Sequence, residues 1–106
     1  MKILAKPVEV IAWFENKGNI TPIRFRMEGE DNSYKVIKVD RVIMKQKEKL
    51  AGNFMHIFRC SSVINGVEKV YELKYEINTC KWMLYKMWFF MKRKGGYLIK
   101  LTTFFY

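Results

Sequence analysis

The sequence predicts an all-β protein, a small antiparallel barrel or sandwich of about six strands followed by a C-terminal extension rich in aromatic and basic residues. Apolar and polar residues alternate over most of the first 87 positions, and short turn signals separate the alternating runs. The chain has 106 residues, of which 50% are hydrophobic, and this length holds one domain with one core. We therefore expect a β domain at residues 1–87 and an extension at residues 88–106.

The first two strands are predicted at residues 6–14 and 22–28, on either side of a turn at Asn16-Lys17-Gly18-Asn19. Alternation with period two is typical of a strand with one buried face. The predicted buried faces carry Val8, Val10, Ala12 and Phe14 in the first strand and Ile23, Phe25 and Met27 in the second. The opposite faces carry Glu9, Ile11 and Trp13 in the first strand and Arg24, Arg26 and Glu28 in the second.

The middle of the chain is less regular. Residues 34–43 are strand-like but change phase, which indicates a bulge or a bend between two sheets. Residues 44–53 are rich in lysine and are predicted to form a charged loop or one turn of helix. The pattern returns at residues 54–64 and 67–76, and Asn65-Gly66 between them is a strong signal for a two-residue hairpin.

The last predicted strand covers residues 80–87, after a turn at Asn78-Thr79. Beyond it, residues 87–106 contain seven of the aromatic residues and four basic residues but no acidic ones. Gly95-Gly96 divides this segment, which is predicted either to fold back as a hairpin or to form an adhesive extension.

The formal net charge of +10 is unevenly distributed. Residues 1–33 are neutral overall, whereas residues 34–86 contain eleven basic and five acidic residues. Such an excess favours contact with phosphates or anionic lipid headgroups, with a merely solubilising surface as the alternative. The apolar run at residues 3–5 is too short for a signal peptide, and no run approaches the length of a spanning helix. We expect a cytoplasmic protein with reduced cysteines.

Few side chains are suited to catalysis or metal binding. His56 is the only histidine, and on its strand it alternates with Phe54 and Phe58, which is typical of a structural position. Cys60 follows four residues later, too far along a strand to share a metal with His56. Pairing of Cys60 with Cys80 is sterically conceivable but not expected in a reducing compartment. We predict no enzyme activity, no cofactor and no metal site.

Basic side chains on neighbouring strands form the better candidate site. Cations interleaved with exposed rings suit single-stranded nucleic acid, because phosphates meet the cations and bases stack on the rings. The candidate residues are Arg24, Arg26, Lys35, Lys38, Arg41 and Trp13. Two alternatives stay open, namely that the aromatic residues fill the core and that the arginines pair with Glu9 or Glu28.

The aromatic tail supports a second hypothesis, a protein-interaction or homo-oligomerisation module that uses strand edges and exposed rings. The sequence leaves three options for the tail: it packs on its own domain, on a second copy of the chain or on a membrane surface. The candidate oligomerisation residues are Trp88, Phe89, Phe90, Phe104 and Phe105.

Five short motifs give residues 6–87 the outline of a known type of domain. They are Lys6-Pro7-Val8-Glu9-Val10, Pro22-Ile23-Arg24-Phe25-Arg26, Tyr34-Lys35-Val36-Ile37-Lys38-Val39, Tyr71-Glu72-Leu73 and Lys81-Trp82-Met83-Leu84. With these motifs the chain resembles a small uncharacterised bacterial β-domain family. It is also distantly similar to a domain of unknown function found with Y-family DNA polymerases and their accessory proteins. The resemblance implies a small β fold and a DNA-repair setting, and it supplies no active site.

Overall fold

The computed structural model describes residues 3–29, 31–93 and 96–101, with the side chains of residues 3–29 and 31–88. Within these residues the chain forms eight strands and no helix. The strands are β1 (Ile3–Phe14), β2 (Ile20–Glu28), β3 (Tyr34–Lys38), β4 (Arg41–Leu50), β5 (Asn53–Ile64), β6 (Val67–Glu76), β7 (Lys81–Arg93) and β8 (Gly96–Leu101).

Seven strands form one continuous antiparallel sheet in the order β3-β2-β1-β7-β6-β5-β4, and β8 pairs with β7. The sheet curls into a half-closed barrel, which confirms the predicted all-β class. The predicted number of about six strands was too low. The described residues include no helix long and apolar enough to cross a membrane.

Strand β1 joins the two halves of the sheet. Its first half pairs with β7, from Ile3 opposite Lys86 to Val8 opposite Trp82. Its second half pairs with β2, from Glu9 opposite Arg26 onwards. The sheet can therefore curl about β1, which brings β2 and β3 over the inner face of β5, β6 and β7.

The core lies between these two halves. Apolar residues of β2 and β3 pack against those of β5, β6 and β7, and the least exposed side chains include Phe25, Phe58, Tyr71, Leu73 and Leu84. Burial of several large aromatic and aliphatic side chains supplies the main driving force for this packing.

The corner between β3 and β4 closes one end of the barrel. Val39 N donates to Ile23 O of β2 at 2.9 Å, and Asp40 N donates to Ser61 O of β5 at 3.0 Å. Ser62 Oγ donates to Lys38 O at 2.6 Å and accepts from the Tyr71 hydroxyl at 2.6 Å. These bonds satisfy buried polar groups at the point where the chain crosses from one half of the sheet to the other. The bend predicted within residues 34–43 is this corner.

The charged segment at residues 44–53 is mainly strand, contrary to the predicted loop or helical turn. It continues β4, in which Lys45, Lys47 and Lys49 lie opposite Phe58, His56 and Phe54 of β5. Strand β4 ends the sheet, and lysines are frequent on such edge strands because their charge resists pairing with another chain.

The second strand also departs from the predicted alternation. Ile20, Pro22, Phe25 and Met27 are buried, whereas Ile23 is 42% exposed. A bulge explains the difference, because the register passes from Pro22 to Arg24 and leaves Ile23 as the extra residue.

The remaining turns agree better with prediction. Asn65 and Gly66 both have positive φ, 52° and 77°, as the predicted hairpin requires. Strand β7 continues from residue 81 to residue 93, across the predicted boundary between residues 87 and 88, and β8 then folds back on it. The division into a domain at residues 1–87 and an extension at 88–106 stays a prediction.

Candidate nucleic-acid interface

The outer face of β1, β2 and β3 brings together several of the predicted binding residues. We call this surface the β1–β3 face. It is formed by Glu9, Ile11, Trp13, Arg24, Arg26, Tyr34, Val36 and Lys38, which are all exposed. The alternation in the sequence predicted this arrangement for Trp13, Arg24 and Arg26.

Two cations lie side by side at the centre of the β1–β3 face. In the strand register Ile11 lies opposite Arg24, and Arg24 lies opposite Lys38. Neither Arg24 nor Lys38 forms a side-chain hydrogen bond or ion pair within the described residues. Like charges directly opposite each other destabilise a sheet, so this pair favours the approach of an anion.

Arg26 is neutralised. Its guanidinium donates to Glu9 Oε2 at 3.2 Å and lies 4.3 Å from the ring centroid of Tyr34. The hydrogen bond to Glu9, followed by the charge of Glu9, raises the pKa of Arg26 above its usual value. The pairing with Glu9 that the sequence left open is therefore present for Arg26. The same contacts hold the Tyr34 ring against the sheet.

Lys35 and Arg41 are not brought to this face. Lys35 lies opposite Met27, which is buried, and so belongs to the inner side of the sheet. The pKa of Lys69 is lowered first by the burial of its own side chain and then by the positive charge of Lys35. Arg41 lies on β4 and forms an ion pair with Glu68 at 3.7 Å.

Apolar side chains surround the two central cations. Trp13 is 64% exposed and Val36 62%, and Ile11 and Tyr34 are each more than half exposed. A shallow cleft of about 510 Å³ lies on this face, lined among others by Ile11, Arg24 and Val36. Exposed apolar groups that adjoin one another, rather than standing singly, mark interaction surfaces.

Sequence reasoning missed Ile11, Tyr34 and Val36 as members of the site. The signal was present, because Ile11 alternates with Trp13 and Tyr34 shares a face with Val36. Ile11 was predicted on this face but was not considered as a binding residue, and Tyr34 was considered as a residue that fills or covers the core. Of the other aromatic residues, Trp82 packs against the core, and the Tyr85 ring faces Lys74 Nζ, 3.5 Å from its centroid.

The side chains considered for catalysis differ in burial: Cys60 is buried, His56 is half-buried and Cys80 is exposed. The His56 ring is stacked on Tyr75 at a centroid separation of 6.3 Å and tilted against Phe58 at 6.2 Å. Both cysteines are free thiols, and burial raises the pKa of Cys60 to about 12. Over the part of the chain that is described, no group of three His, Cys, Asp or Glu side chains is placed to hold a metal ion.

The predicted oligomerisation residues are only partly described. Trp88 is half-buried, and its ring centroid lies 5.3 Å from Arg59 Cζ and 5.7 Å from Lys86 Nζ. Phe89 and Phe90 belong to β7, where they pair through the backbone with β8. Phe104 and Phe105 lie outside the described residues.

Comparison with protein families, curated proteins and solved structures finds no match to this chain. The resemblance of residues 6–87 to a domain found with Y-family DNA polymerases therefore stays a prediction.

Proposed function

We propose that the β1–β3 face binds single-stranded nucleic acid and that the protein is a non-enzymatic cytoplasmic module, acting alone or beside a nucleic-acid enzyme. The observation that carries the proposal is the opposition of Arg24 and Lys38 in the strand register, on a row that contains no carboxylate. A polyanion relieves the repulsion between these cations and releases its own counterions when it binds.

The surroundings of the two cations favour a single strand over a duplex. Trp13, Ile11 and Val36 present more than half of their surface to solvent. Unpaired bases offer flat faces that stack on a ring such as Trp13 or cover aliphatic groups. In a duplex these base faces are buried, so that the apolar side chains would meet only sugar and phosphate.

Each residue of the face then has a separate role. Arg24 contacts a phosphate through its planar fork of donors, and Lys38 contacts a neighbouring phosphate as a point charge. Trp13 stacks on a base without reading its identity. Arg26, already held by Glu9, orients Tyr34 as a second ring rather than contacting phosphate itself.

Titration of fluorescent DNA oligonucleotides at about 50 and 200 mM salt tests the proposal. Replacing Arg24 and Lys38 by glutamine should make the slope of log K against log salt concentration shallower by about 1.4. Each lost phosphate contact removes about 0.7 from that slope. The matched control replaces Arg41 and Lys49 by glutamine; both lie on β4, outside the β1–β3 face, so affinity should stay nearly unchanged. Equal weakening by both double variants would show general charge attraction and would overturn the proposed site.

Trp13→Ala separates stacking from charge. Because the ring is exposed, its removal should leave the fold intact. It should weaken binding about tenfold, within the range expected for one stacked base, without changing the salt dependence. Unchanged affinity would remove Trp13 from the interface.

A second candidate function is homo-oligomerisation through strand edges and the aromatic tail. It is favoured by the terminal position of β3 in the sheet and by the exposure of Tyr34 and Val36 on that strand. Deleting residues 94–106 retains all of β7 but removes β8, Phe104 and Phe105. Light scattering should then show an oligomer becoming a monomer, whereas a monomeric full-length chain would contradict this candidate.

A further inference from the structure

A second basic surface is a cleft whose lining shares no residue with the β1–β3 face. A cleft of about 410 Å³ separates the turn between β1 and β2 from β4 and the start of β5. Lys17 and Asn19 line it from the turn, Lys45 and Lys47 from β4, and His56 from β5, with Phe58 also in contact. Its volume falls in the range of small-ligand sites.

The strand register concentrates positive charge in this cleft. Lys45 and Lys47 are two residues apart on one face of β4, which places their backbones about 7 Å apart. Lys47 lies directly opposite His56, and Lys45 directly opposite Phe58. Lys17 brings a third ammonium group from the facing turn.

No carboxylate balances these three cations among the described residues that line the cleft. Glu48 follows Lys47 on β4 but points to the other side of the sheet, where it pairs with Lys74 at 3.3 Å. Glu15 lies in the turn and accepts a hydrogen bond from Asn19 Nδ2 at 3.0 Å, outside the lining. The other ion pairs of the described chain do not involve Lys17, Lys45 or Lys47.

The floor and one wall of the cleft are held in place. Phe58 is 2% exposed in the core, and His56 packs between Phe58 and Tyr75. Lys45 Nζ lies 3.5 Å from Thr21 Oγ1 of β2 and 5.9 Å from the Phe58 ring centroid. These contacts hold Lys45 between the two walls, where it can donate to a ligand without a large loss of side-chain freedom.

We propose that this cleft binds a phosphate group, with Lys17, Lys45 and Lys47 as charged donors and the His56 ring as the polar part of the floor. Phosphate is favoured over a carboxylate because several cations converge with no acid among them, and a phosphate group brings more charge and more acceptor oxygens. The site is separate from the β1–β3 face and does not depend on the nucleic-acid proposal. A free polyphosphate or the phosphate chain of a nucleotide carries the required chemistry.

Calorimetric titration with inorganic tripolyphosphate, at constant ionic strength, tests this site. We expect saturable binding of one ion, weakened about a hundredfold or more when Lys45 and Lys47 are both replaced by glutamine, since each replacement removes a charge-assisted hydrogen bond. The control replaces Lys49 and Lys81, which carry the same charge outside the cleft, and should change affinity less than about twofold. No saturable binding, or equal weakening by both double variants, would overturn the inference.

Two further titrations determine which part of the ligand binds and to which surface. A nucleoside triphosphate that binds more tightly than tripolyphosphate indicates that its base also contacts the cleft, and equal affinity assigns binding to the phosphate chain. Replacing Arg24 and Lys38 should leave tripolyphosphate binding intact, and its loss would assign the ion to the β1–β3 face instead.

If the double variant at Lys45 and Lys47 does not fold, the amide resonances of Lys45, Lys47 and His56 in the unaltered protein must shift on titration. Shifts confined to other residues would contradict the site.

Discussion

The two outer faces of the curled sheet differ in whether their cations have carboxylate partners. On the β1–β3 face, Arg24 and Lys38 lie opposite each other without a carboxylate. On the outer side of β5, β6 and β7, which we call the β5–β7 face, Glu72 lies between two cations. Its Oε1 is 3.3 Å from Arg59 Nη2, and its Oε2 is 3.6 Å from Lys86 Nζ.

Burial differs in parallel with charge pairing. The side chain of Glu72 is 7% exposed, whereas those of Arg26 and Glu9, the ion pair of the β1–β3 face, are 48% and 66% exposed. Aromatic rings cover the cations of the β5–β7 face, with Tyr85 over Lys74 and Trp88 near Arg59. On the β5–β7 face Arg59, Lys74 and Lys86 each pair with a carboxylate, whereas Arg24 and Lys38 on the β1–β3 face have no such partner among the described residues.

The largest expected effect comes from breaking the β5–β7 network. Glu72→Gln leaves Arg59 and Lys86 close together without their shared anion. Loss of one partner of a buried pair costs about 3–5 kcal/mol, and partial exposure of Arg59 reduces this to about 2 kcal/mol. Urea unfolding should show the loss, and Glu9→Gln on the exposed β1–β3 face should leave the unfolding midpoint nearly unchanged. Equal urea unfolding midpoints for Glu72→Gln and Glu9→Gln would show that the ion pairs of the two faces contribute equally to stability, contrary to the comparison.

A smaller and opposite effect is expected on the β1–β3 face. Arg24→Glu replaces two like charges by an ion pair with Lys38, and should raise the free energy of unfolding by about 0.5 kcal/mol. The same change should abolish detectable oligonucleotide binding at moderate salt. A destabilised variant, or one that still binds DNA, would show that Arg24 is not an unbalanced cation at an anion site.

The smallest expected effect concerns pH at the cleft, the other region with unbalanced cations. Burial, and then the charges of Lys47 and Lys45, lower the pKa of His56 below its usual 6.5. Lys17 lines the same cleft and Tyr75 stacks on the imidazole. The unfolded chain therefore takes up this proton more readily, so that stability present above pH 6.5 is lost as pH falls through the lowered pKa.

Unfolding free energies at about pH 7.5 and about pH 5.5 measure this term. The unaltered protein should lose more stability between the two pH values than His56→Gln, which carries no titrating ring. A larger loss in the variant would indicate that a carboxylate near His56 offsets the lysines, contrary to the structure of the cleft.

Sequence reasoning succeeded where a local pattern determined the outcome. Alternation placed Trp13 and Arg24 on the outer face, and Asn65-Gly66 supplied the two positive φ angles that its hairpin needs. It failed at residues 44–53, where a lysine-rich segment was interpreted as a charged loop or one turn of helix and residues 44–50 are strand. Those lysines are compatible with a strand because β4 is an edge, and edge position is a property of the whole sheet that local composition does not contain.

The candidate sites show the same division. Which cation meets which carboxylate depends on register between strands distant in sequence, such as β2 with β3 and β4 with β5. Arg24 and Arg26 have nearly the same sequence surroundings, but only Arg26 is held by Glu9. The cleft was not predicted because Lys17 and Lys45 approach each other only after the sheet has curled.

Strand β1, shared by the two halves of the sheet, has a consequence for how the chain folds. Its second half can pair at once with β2 in a local hairpin. Its first half pairs with β7, where Ile3 lies opposite Lys86, so this pairing can form only once β7 is present. Contacts between segments so distant in sequence slow folding. During synthesis on the ribosome, residues 3–8 should therefore stay unpaired until β7 has emerged, and their amides should become protected from hydrogen exchange later than those of the β1–β2 hairpin.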